Sequence, residues 1–305
     1  MVKSSQISVL GCIFAIAAAF SLTGCSATGG IDDTVTEGST PLTKSSDFSF
    51  TLKVTSDGKD ISTRGDVDYT TLYVFNEKNE FVSQMTVDRN YALQNKTITL
   101  SVPGSEKITV AAWSGASSSD LTSMSNANII SDLQMSLKSD NGVVSTSGDL
   151  FYGKTVLYST ASKAGSQTLT IERKVSSVSL TTSGVLKVYD SLEGTYFYKV
   201  KKSKSSINAE GQMTGSDIEY IIPATLNSNG VLTAKTTSVL PSENVTIELY
   251  RDNKLILSSE NVKNAQTLNA QAGKQLTVNF DLSRNYTSNV TVADWASVVQ
   301  VVTVG

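Results

Sequence analysis

Short stretches in which apolar and polar residues alternate run through most of this chain. The first begins at Phe48, and from there apolar side chains occupy every second position as far as Val54. A period of two is that of a strand with one buried face. Polar turn sequences, such as Asp57-Gly58 and Pro103-Gly104, separate these stretches. The pattern predicts an all-β protein.

Eleven further segments share this alternating or β-branched character, and residues 72–75 and 81–82 flank a polar loop as a predicted hairpin. The segments are residues 98–102, 108–113, 150–152, 156–158, 169–171, 185–188, 196–198, 220–222, 245–249, 255–257 and 276–282. The strand at 220–222 is expected to end at Pro223. Residues 118–138 interrupt the alternation and predict a short helix, with Ser119 or Asp120 as its N-cap, or an irregular excursion.

The register of the apolar positions changes near Lys174. Leu169 and Ile171 occupy odd positions, whereas Val178 and Leu180 occupy even ones. A strand cannot change faces without a bulge or a break. We therefore predict two tandem β-sandwich domains, at 47–174 and 175–305.

The N-terminus has a different pattern. Lys3 precedes an apolar run at residues 9–20, which is too short to span a bilayer as a mature helix and is typical of a secretion signal. The run leads to Leu-Thr-Gly-Cys at 22–25, which resembles a bacterial lipobox. We predict a lipoprotein signal peptide at 1–24 and a mature chain that begins with Cys25, acylated, for example with palmitate. The alternative is an ordinary signal peptide cut elsewhere, with Cys25 a free thiol.

Residues 25–46 are small and polar and contain Gly29, Gly30, Gly38 and Pro41, so they predict a flexible tether between the lipid and the first strand. At the other end, residues 296–305 place valines on both faces of a predicted strand: Val298, Val299, Val301, Val302 and Val304. Such a strand is either buried on both sides, as the closing strand of the second sandwich, or pairs with another molecule.

Composition excludes several kinds of chemistry. The chain has no histidine, which removes Ser-His-Asp and Cys-His catalysis and His-containing zinc sites. Its two cysteines, Cys12 and Cys25, are assigned to the signal peptide and the lipid, so no disulfide is expected. A net charge of −3 gives no basic surplus for nucleic acid. No catalytic, cofactor or metal site is predicted.

The remaining candidate residues favour structural roles. Asp66-x-Asp68 and Asp32-Asp33 are the nearest carboxylate pairs, and they are expected to be solvated charges rather than a catalytic pair. Asp57-Gly58-Lys59-Asp60 lacks the ligand pattern of a calcium loop and predicts a turn. Trp113 and Trp295 are expected in the core. A sugar-binding surface would need Tyr196, Tyr198 or Trp295 to be exposed, and the lysines at 199, 201, 202 and 204 predict a solvated hairpin.

Several motifs, in their order along the chain, resemble those of the fimbrial anchor lipoproteins, which belong with the fimbrillins of Gram-negative gut and oral anaerobes. The resemblance rests on the lipobox, Arg64-x-Asp66 before 71–75, Pro103-Gly104 before 108–113, Asp149-Leu150-Phe151-Tyr152-Gly153, and Ile171-Glu172-Arg173-Lys174-Val175. It covers most of the mature chain.

The resemblance implies two transthyretin-like domains in a non-enzymatic outer-membrane lipoprotein at the base of a fimbria, with a stalk subunit as partner and cell adhesion as the downstream role. In such pili a protease cut after an arginine, here Arg64, removes the first strand of a stalk subunit, and a neighbour's strand replaces it. Because a cut at Arg64 would also release this chain from Cys25, an anchor must stay uncut. It would engage the pilus either by donating a strand, for which residues 296–305 are the candidate, or by docking through a surface.

Three alternatives stay open: a stalk or tip subunit, a surface glycan-binding lipoprotein, and a carboxylate glycosidase. Whether an anchor of this kind also limits the length of the fimbria stays open as well, as does its outward orientation. The acidic residues Asp32-Asp33 lie farther from Cys25 than expected for a signal for surface export.

Overall fold

A computed structural model of the chain describes residues 44–117, 119–144, 146–163, 165–189, 191, 193–284 and 286–295. The described strands are β1 (Ser45–Ser56), β2 (Lys59–Asp60), β3 (Tyr69–Phe75), β4 (Phe81–Asp88), β5 (Thr97–Pro103), β6 (Lys107–Ser114), β7 (Gln134–Ser136), β8 (Val143–Val144), β9 (Phe151–Tyr158), β10 (Gln167–Arg173), β11 (Ser176–Ser183), β12 (Tyr196–Asn208), β13 (Met213–Leu226), β14 (Leu232–Ala234), β15 (Thr237–Val239), β16 (Thr246–Arg251), β17 (Lys254–Ser258), β18 (Lys274–Asp281) and β19 (Thr287–Asp294). Helices are short: α1 (Asn90–Leu93), α2 (Val185–Val188), and single 3-10 turns at Ser62–Arg64, Ile130–Asp132 and Leu282–Arg284.

These strands form two sheets, so the predicted all-β class is confirmed. The first sheet has the order β2-β1-β10-β9-β6-β3-β4, with β5 also paired with β1. The second has the order β17-β16-β12-β13-β14-β11-β18-β19, with β15, β7 and β8 paired with β11, β12 and β13. After β10 the chain leaves the first sheet between Arg173 and Ser176, and none of the later described strands returns to it.

The first strand is an integral part of the first sheet. Residues 45–51 of β1 pair antiparallel with β5, and residues 50–55 pair parallel with β10. Its inward side chains are those that the alternation predicts, since Phe48, Phe50, Leu52 and Val54 are all buried in one core. Because β1 begins at Ser45, the last two residues of the predicted tether belong to the strand.

Each sheet encloses its own core, and a third apolar cluster joins the two. Trp113 of β6 and Tyr152 of β9 point away from the first core, and their ring centroids lie 4.3 Å apart. Ile207, near the end of β12, and Ala209, just after it, pack into the same cluster, and the Tyr152 hydroxyl donates a hydrogen bond to the Ala209 carbonyl. The two sheets therefore share buried apolar surface.

The predicted irregular excursion crosses between the sheets. Residues 118–138 contain no helix at Ser119 or Asp120 among the described positions; the only helical turn there is Ile130–Asp132. β7 and β8 follow and pair with strands of the second sheet, although they precede Lys174 in sequence. Leu133 and Met135 are buried in the shared cluster. The division into domains at 47–174 and 175–305 stays a prediction.

Three local predictions differ from the structure. Residues 185–188 form α2 instead of a strand, because Gly184, with φ 79°, turns the chain out of β11. The stretches 150–152 and 156–158 are joined in one continuous strand, β9, which begins at Phe151. β13 continues past Pro223. On one side of β13, Pro223 lies between the residues that pair with β8 and those that pair with β14. Proline is tolerated there because no neighbouring strand pairs with that position on this side.

We expect Phe50→Ala to lower the free energy of unfolding by about 3 to 5 kcal/mol, because it opens a cavity in the first core. Urea denaturation of the mature chain measures this change. Lys53→Ala, on the outer face of the same strand, is the matched control and should stay within about 0.5 kcal/mol. Equal effects of the two substitutions would show that β1 is not packed as described.

Candidate functional site

The guanidinium of Arg173, at the end of β10, is the centre of a buried charge cluster between the two sheets. The side chain is 2% exposed. Its Nε and Nη2 donate to the two carboxylate oxygens of Asp149 at 2.8 and 3.0 Å, and Nη2 also donates to Asp66 at 2.9 Å. Nη1 donates to the Ser56 hydroxyl at 3.2 Å. Arg173 thus bonds to the end of β1, to the segment that follows Arg64, and to the start of β9.

Two aromatic rings enclose this guanidinium. Its central carbon lies 4.9 Å from the ring centroid of Phe151 and 4.5 Å from that of Trp295. A planar cation stacks favourably on an aromatic face when it is removed from water. Trp295 is therefore partly exposed and stacks on the buried guanidinium. It is neither simply a residue of the apolar core nor an uncovered ring available to stack on a sugar.

The strand period explains why Arg173 is buried. Leu169, Ile171 and Arg173 lie at every second position of β10 and share its inward face. Burial raises the pKa of the Asp149 carboxyl, and the guanidinium of Arg173 opposes that shift. The prediction that Asp66 is only a solvated charge is therefore wrong, whereas Asp68 is well exposed and makes only a 3.7 Å ion pair with Arg89.

A second charge group, here called the clasp, consists of Asp57, Lys59, Lys274 and Asp294. Lys274 Nζ, at the start of β18, lies 2.7 Å from Asp294 Oδ1, at the end of β19, and also bonds to Asp57. Lys59 bonds to Asp294. The clasp therefore joins the turn after β1 to the two strands at the edge of the second sheet.

Backbone packing at the clasp requires a glycine. Gly273 has φ 72°, and a Cβ there would lie 2.8 Å from the backbone nitrogen of Asp57. The two segments can approach this closely only because the position lacks a side chain. Hydrogen bonds from Lys274 and Lys59 lower the pKa of Asp294, and bonds to Asp294 and Asp57 raise the pKa of Lys274. The Lys274–Asp294 pair of the clasp is thus charged over a wide pH range.

Arg64 is exposed at the end of the 3-10 turn Ser62–Arg64, between β2 and β3. Gly65 follows it in the left-handed region with φ 75°. The turn is held by the Ser62 hydroxyl, which accepts from the Val54 amide at 2.9 Å, and by the Asp66–Arg173 pair. A cut after Arg64 would separate β1, which includes Ser56, from the rest of the chain. It would also separate the clasp residues Asp57 and Lys59 from Lys274 and Asp294.

The structure does not bring the other predicted site residues together. Cys25, Asp32-Asp33 and the valines Val298, Val299, Val301, Val302 and Val304 lie outside the described residues. The described chain leads to the valine segment from Trp295, whose amide donates to the Gly273 carbonyl at 3.0 Å. Trp295, the last described residue before the candidate donor strand, is therefore next to both the clasp and Arg173.

The aromatic residues considered for sugar binding are mostly buried. Tyr196 and Tyr198 point into the second core, where burial raises the pKa of the Tyr198 hydroxyl and Thr182 bonds to it at 2.6 Å. Phe197 faces outward and stacks on Tyr250, with 5.1 Å between centroids and 2° between planes. The structure therefore supplies no exposed platform from Tyr196 or Tyr198.

Every lysine of the predicted solvated cluster has an acidic partner. The pairs are Lys199–Glu219, Lys201–Glu248, Lys202–Glu260 and Lys204–Asp217.

Trp113 is buried, as predicted, and Asp57-Gly58 forms the predicted turn. Within the described ranges, no group of three or more acidic or cysteine side chains is arranged to hold a metal ion. None of the helices in that part of the chain has the length and apolar character needed to cross a membrane.

Comparison with known proteins assigns the family. The profile of the fimbrillin-A associated anchor proteins Mfa1 and Mfa2 matches residues 37–301. The chain belongs to this family. The major fimbrium anchoring subunit FimB of Porphyromonas gingivalis is 23% identical over 256 residues, which cover 80% of this chain and 84% of FimB. The family is one of structural anchor proteins rather than enzymes, and membership implies association with fimbriae and the cell surface.

Solved structures share the fold. The fimbrial anchor protein Mfa2 from Porphyromonas gingivalis aligns with a TM-score of 0.56 and 12% identity, over 81% of this chain and 96% of that one. A Bacteroides thetaiotaomicron protein, described as a candidate polysaccharide-binding protein, aligns with a TM-score of 0.63 and 16% identity, over 82% and 96%. At these identities the alignments establish the fold alone.

The Arg173 cluster escaped prediction although three of its members lie in motifs that carry the family resemblance: Asp66, Asp149 and Arg173. The sequence did contain one indication: Arg173 continues the alternate positions occupied by the apolar residues Leu169 and Ile171, so it lies on the inward face of β10. Pairing it with Asp66 and Asp149 required knowledge of which strands are neighbours. Lys274 and Asp294 gave no such indication, since single charges at strand ends are common.

We expect Arg173→Met to lower the free energy of unfolding by about 3 to 5 kcal/mol, because the substitution leaves Asp149 partly buried without its cation. Arg89→Met removes an exposed ion pair and should cost less than about 1 kcal/mol. Urea denaturation of the mature chain compares the two. An Arg173→Met protein as stable as Arg89→Met would show that the cluster does not organise the junction.

We expect the destabilisation caused by Lys274→Met to depend on pH. Asp294 has a depressed pKa in the folded state, so its contribution is complete above its unfolded pKa and falls as pH drops below about 4. The raised pKa of Lys274 keeps its contribution complete below its unfolded value of 10.5. The stability difference between Lys274→Met and the unsubstituted chain should be constant from about pH 6 to 9 and smaller at pH 3. A constant difference down to pH 3 would contradict the clasp.

Proposed function

We propose that this chain is an outer-membrane lipoprotein that anchors the base of a fimbria, held in the membrane by lipid on Cys25. Family membership supports the anchoring role. The lipobox at 22–25 supports the lipid. Because several acyl chains on one cysteine hold a protein stably in a membrane, no spanning helix is needed.

The observation that carries the proposal is the integration of β1. Four of its side chains belong to the first core, and its end bonds to Arg173 and joins the clasp. A stalk subunit in strand-exchange pili must lose its first strand, whereas a tethered anchor must keep it. A strand tied to both sheets suits an anchor that stays uncut at Arg64 and joined to Cys25.

The fimbrial stalk subunit is the proposed partner, and residues 296–305 are the proposed donor strand. The segment begins next to Trp295, whose backbone and ring are both fixed. Ten extended residues reach about 33 Å, long enough to form a full strand in a neighbouring sheet. An anchor that donates a strand and fills its own groove ends the polymer at its base, so we propose that it also limits fimbrial length. Cell adhesion is then the consequence of retaining the fimbria.

The burial of Tyr196 and Tyr198 gives no support to glycan binding, the function named for one of the similar structures. A stalk or tip role would require Arg64 to be cut, or Cys25 to be absent from the mature protein.

The test compares cells that carry the unsubstituted chain, Cys25→Ser, and a deletion of 296–305. Mass spectrometry should find an acylated Cys25 at the mature N-terminus in the outer-membrane fraction. Cys25→Ser should move the protein out of that fraction, and the deletion should release fimbriae into the medium while the protein stays in the membrane.

A mature N-terminus at Gly65 in protein that copurifies with fimbriae would overturn the anchor assignment. Fimbriae that stay attached after deletion of 296–305 would leave the anchor in place but exclude the donor strand.

A further inference from the structure

β19 is an edge strand of the second sheet among the described strands. It pairs along its whole length with β18, and no described strand lies on its other side. An unpaired edge presents a row of main-chain donors and acceptors to which another strand can add. Which of these groups are available follows from the register.

Trp295 defines the alternation of the ladder. Its amide donates to the Gly273 carbonyl, which lies opposite it in the β18–β19 register. In an antiparallel pair, residues that bond across the ladder alternate with residues whose main-chain groups point away. The main-chain N–H and C=O groups of the odd-numbered residues of β19 therefore point toward β18. Those of Ser288, Val290 and Val292 point outward, away from β18.

Side-chain contacts mark both ends of this outward row. Asn264 acts as a substitute strand at Ser288: its Nδ2 donates to the Ser288 carbonyl at 2.6 Å, and its Oδ1 accepts from the Ser288 amide at 2.8 Å. At the other end the side chain of Asp294 is held by Lys59 and Lys274. Between these ends, the outward main-chain groups of Val290 and Val292 have no partner in the described part of the chain. We call these four groups the β19 slot.

The slot lacks the features that normally protect an edge strand. From Asn289 to Ala293 it has no lysine, proline or bulge. The side chain of Val292 is 43% exposed, and that of Val290 is packed only partly against the second core. By contrast, the opposite edge strand, β17, begins with Lys254 and pairs with β16 through an irregular register. An edge left open over this stretch accepts an extended peptide.

We propose that the β19 slot binds an extended segment of a fimbrial subunit, which adds to the second sheet as a further strand. The segment would bond to Val290 and Val292 and place apolar side chains beside theirs, and Asn264 and the clasp would fix its register. This proposal rests on the proposed anchoring function. A fimbrial subunit is the favoured occupant because the chain belongs to the family of fimbrillin-A associated anchor proteins, and the proposed anchoring function requires a surface that binds the fimbria.

Two substitutions of one residue test the slot. Val292→Pro removes an outward N–H and leaves the bonds to β18 intact, because proline is tolerated where the amide of an edge strand faces outward. Val292→Lys adds a protecting charge. Thr291→Lys is the matched control: the same charge on an exposed neighbour whose side chain lies on the other face.

The measurement uses cells that express the full lipidated chain, with fimbriae retained on the cells divided by the amount of anchor in the membrane. We expect retention per molecule to fall about tenfold for Val292→Pro and Val292→Lys, the change produced when pairing weakens by about 1.4 kcal/mol. Thr291→Lys should retain fimbriae normally. Thermal unfolding should show all three variants folded.

The outcomes separate this proposal from the anchoring function. If loss of the whole chain leaves fimbriae attached, the anchoring function is wrong and the slot proposal falls with it. If loss of the chain releases fimbriae but both Val292 variants retain them, anchoring stands and the slot is not the binding site. A dimer in detergent that Val292→Pro converts to a monomer would assign the slot to a second copy. Retention that rises on deletion of 296–305 would assign it to that segment.

Discussion

Burial of the Arg173 guanidinium is the constraint on which the junction of the two sheets depends. A charge removed from water is very costly unless its hydrogen-bonding groups are satisfied. Here the partners come from four places: Ser56 on β1, Asp66 after the 3-10 turn, Asp149 before β9, and the ring of Trp295 after β19. Each of these segments must be in place for Arg173 to be compensated, so their positions are coupled.

This coupling gives the first strand a second role. β1 supplies one side of a core, as any strand does, but its end also contributes Ser56 and Asp57 to bonds with residues far away in sequence. Removing β1 would therefore open both the first core and the contact between the sheets. In the lipid-tethered anchor that we propose, such an arrangement would keep the tethered strand and the rest of the chain together.

The C-terminal ends of β1 and β19 meet at the same place. The turn after β1 and the end of β19 share Lys274, and Trp295 lies over the guanidinium that bonds to Ser56. The shared apolar cluster around Trp113 and Tyr152 supports the junction without charge.

The sequence by itself determined the class of fold and the inward faces of most strands. The alternation from Phe48 to Val54 predicts which side chains are buried, and the change of register near Lys174 marks where the chain leaves the first sheet, because strand period is a local property of the chain. The family, too, was visible in the order of short motifs. The sequence-based prediction was wrong locally where a single residue changed the backbone direction. Gly184, for example, turns the chain out of β11, and the predicted strand at 185–188 is the helix α2.

Only the tertiary structure decided which distant residues meet. The inward position of Arg173 was readable from β10, but its pairing with Asp66 and Asp149 depends on strand order. The clasp and the β19 slot depend on which edges of the second sheet stay free, and on a glycine at 273 that lets two backbones approach. Local periodicity carries no information about neighbours in a sheet, since a strand of the same pattern pairs equally well in many orders; burial of charge and apolar surface together selects one.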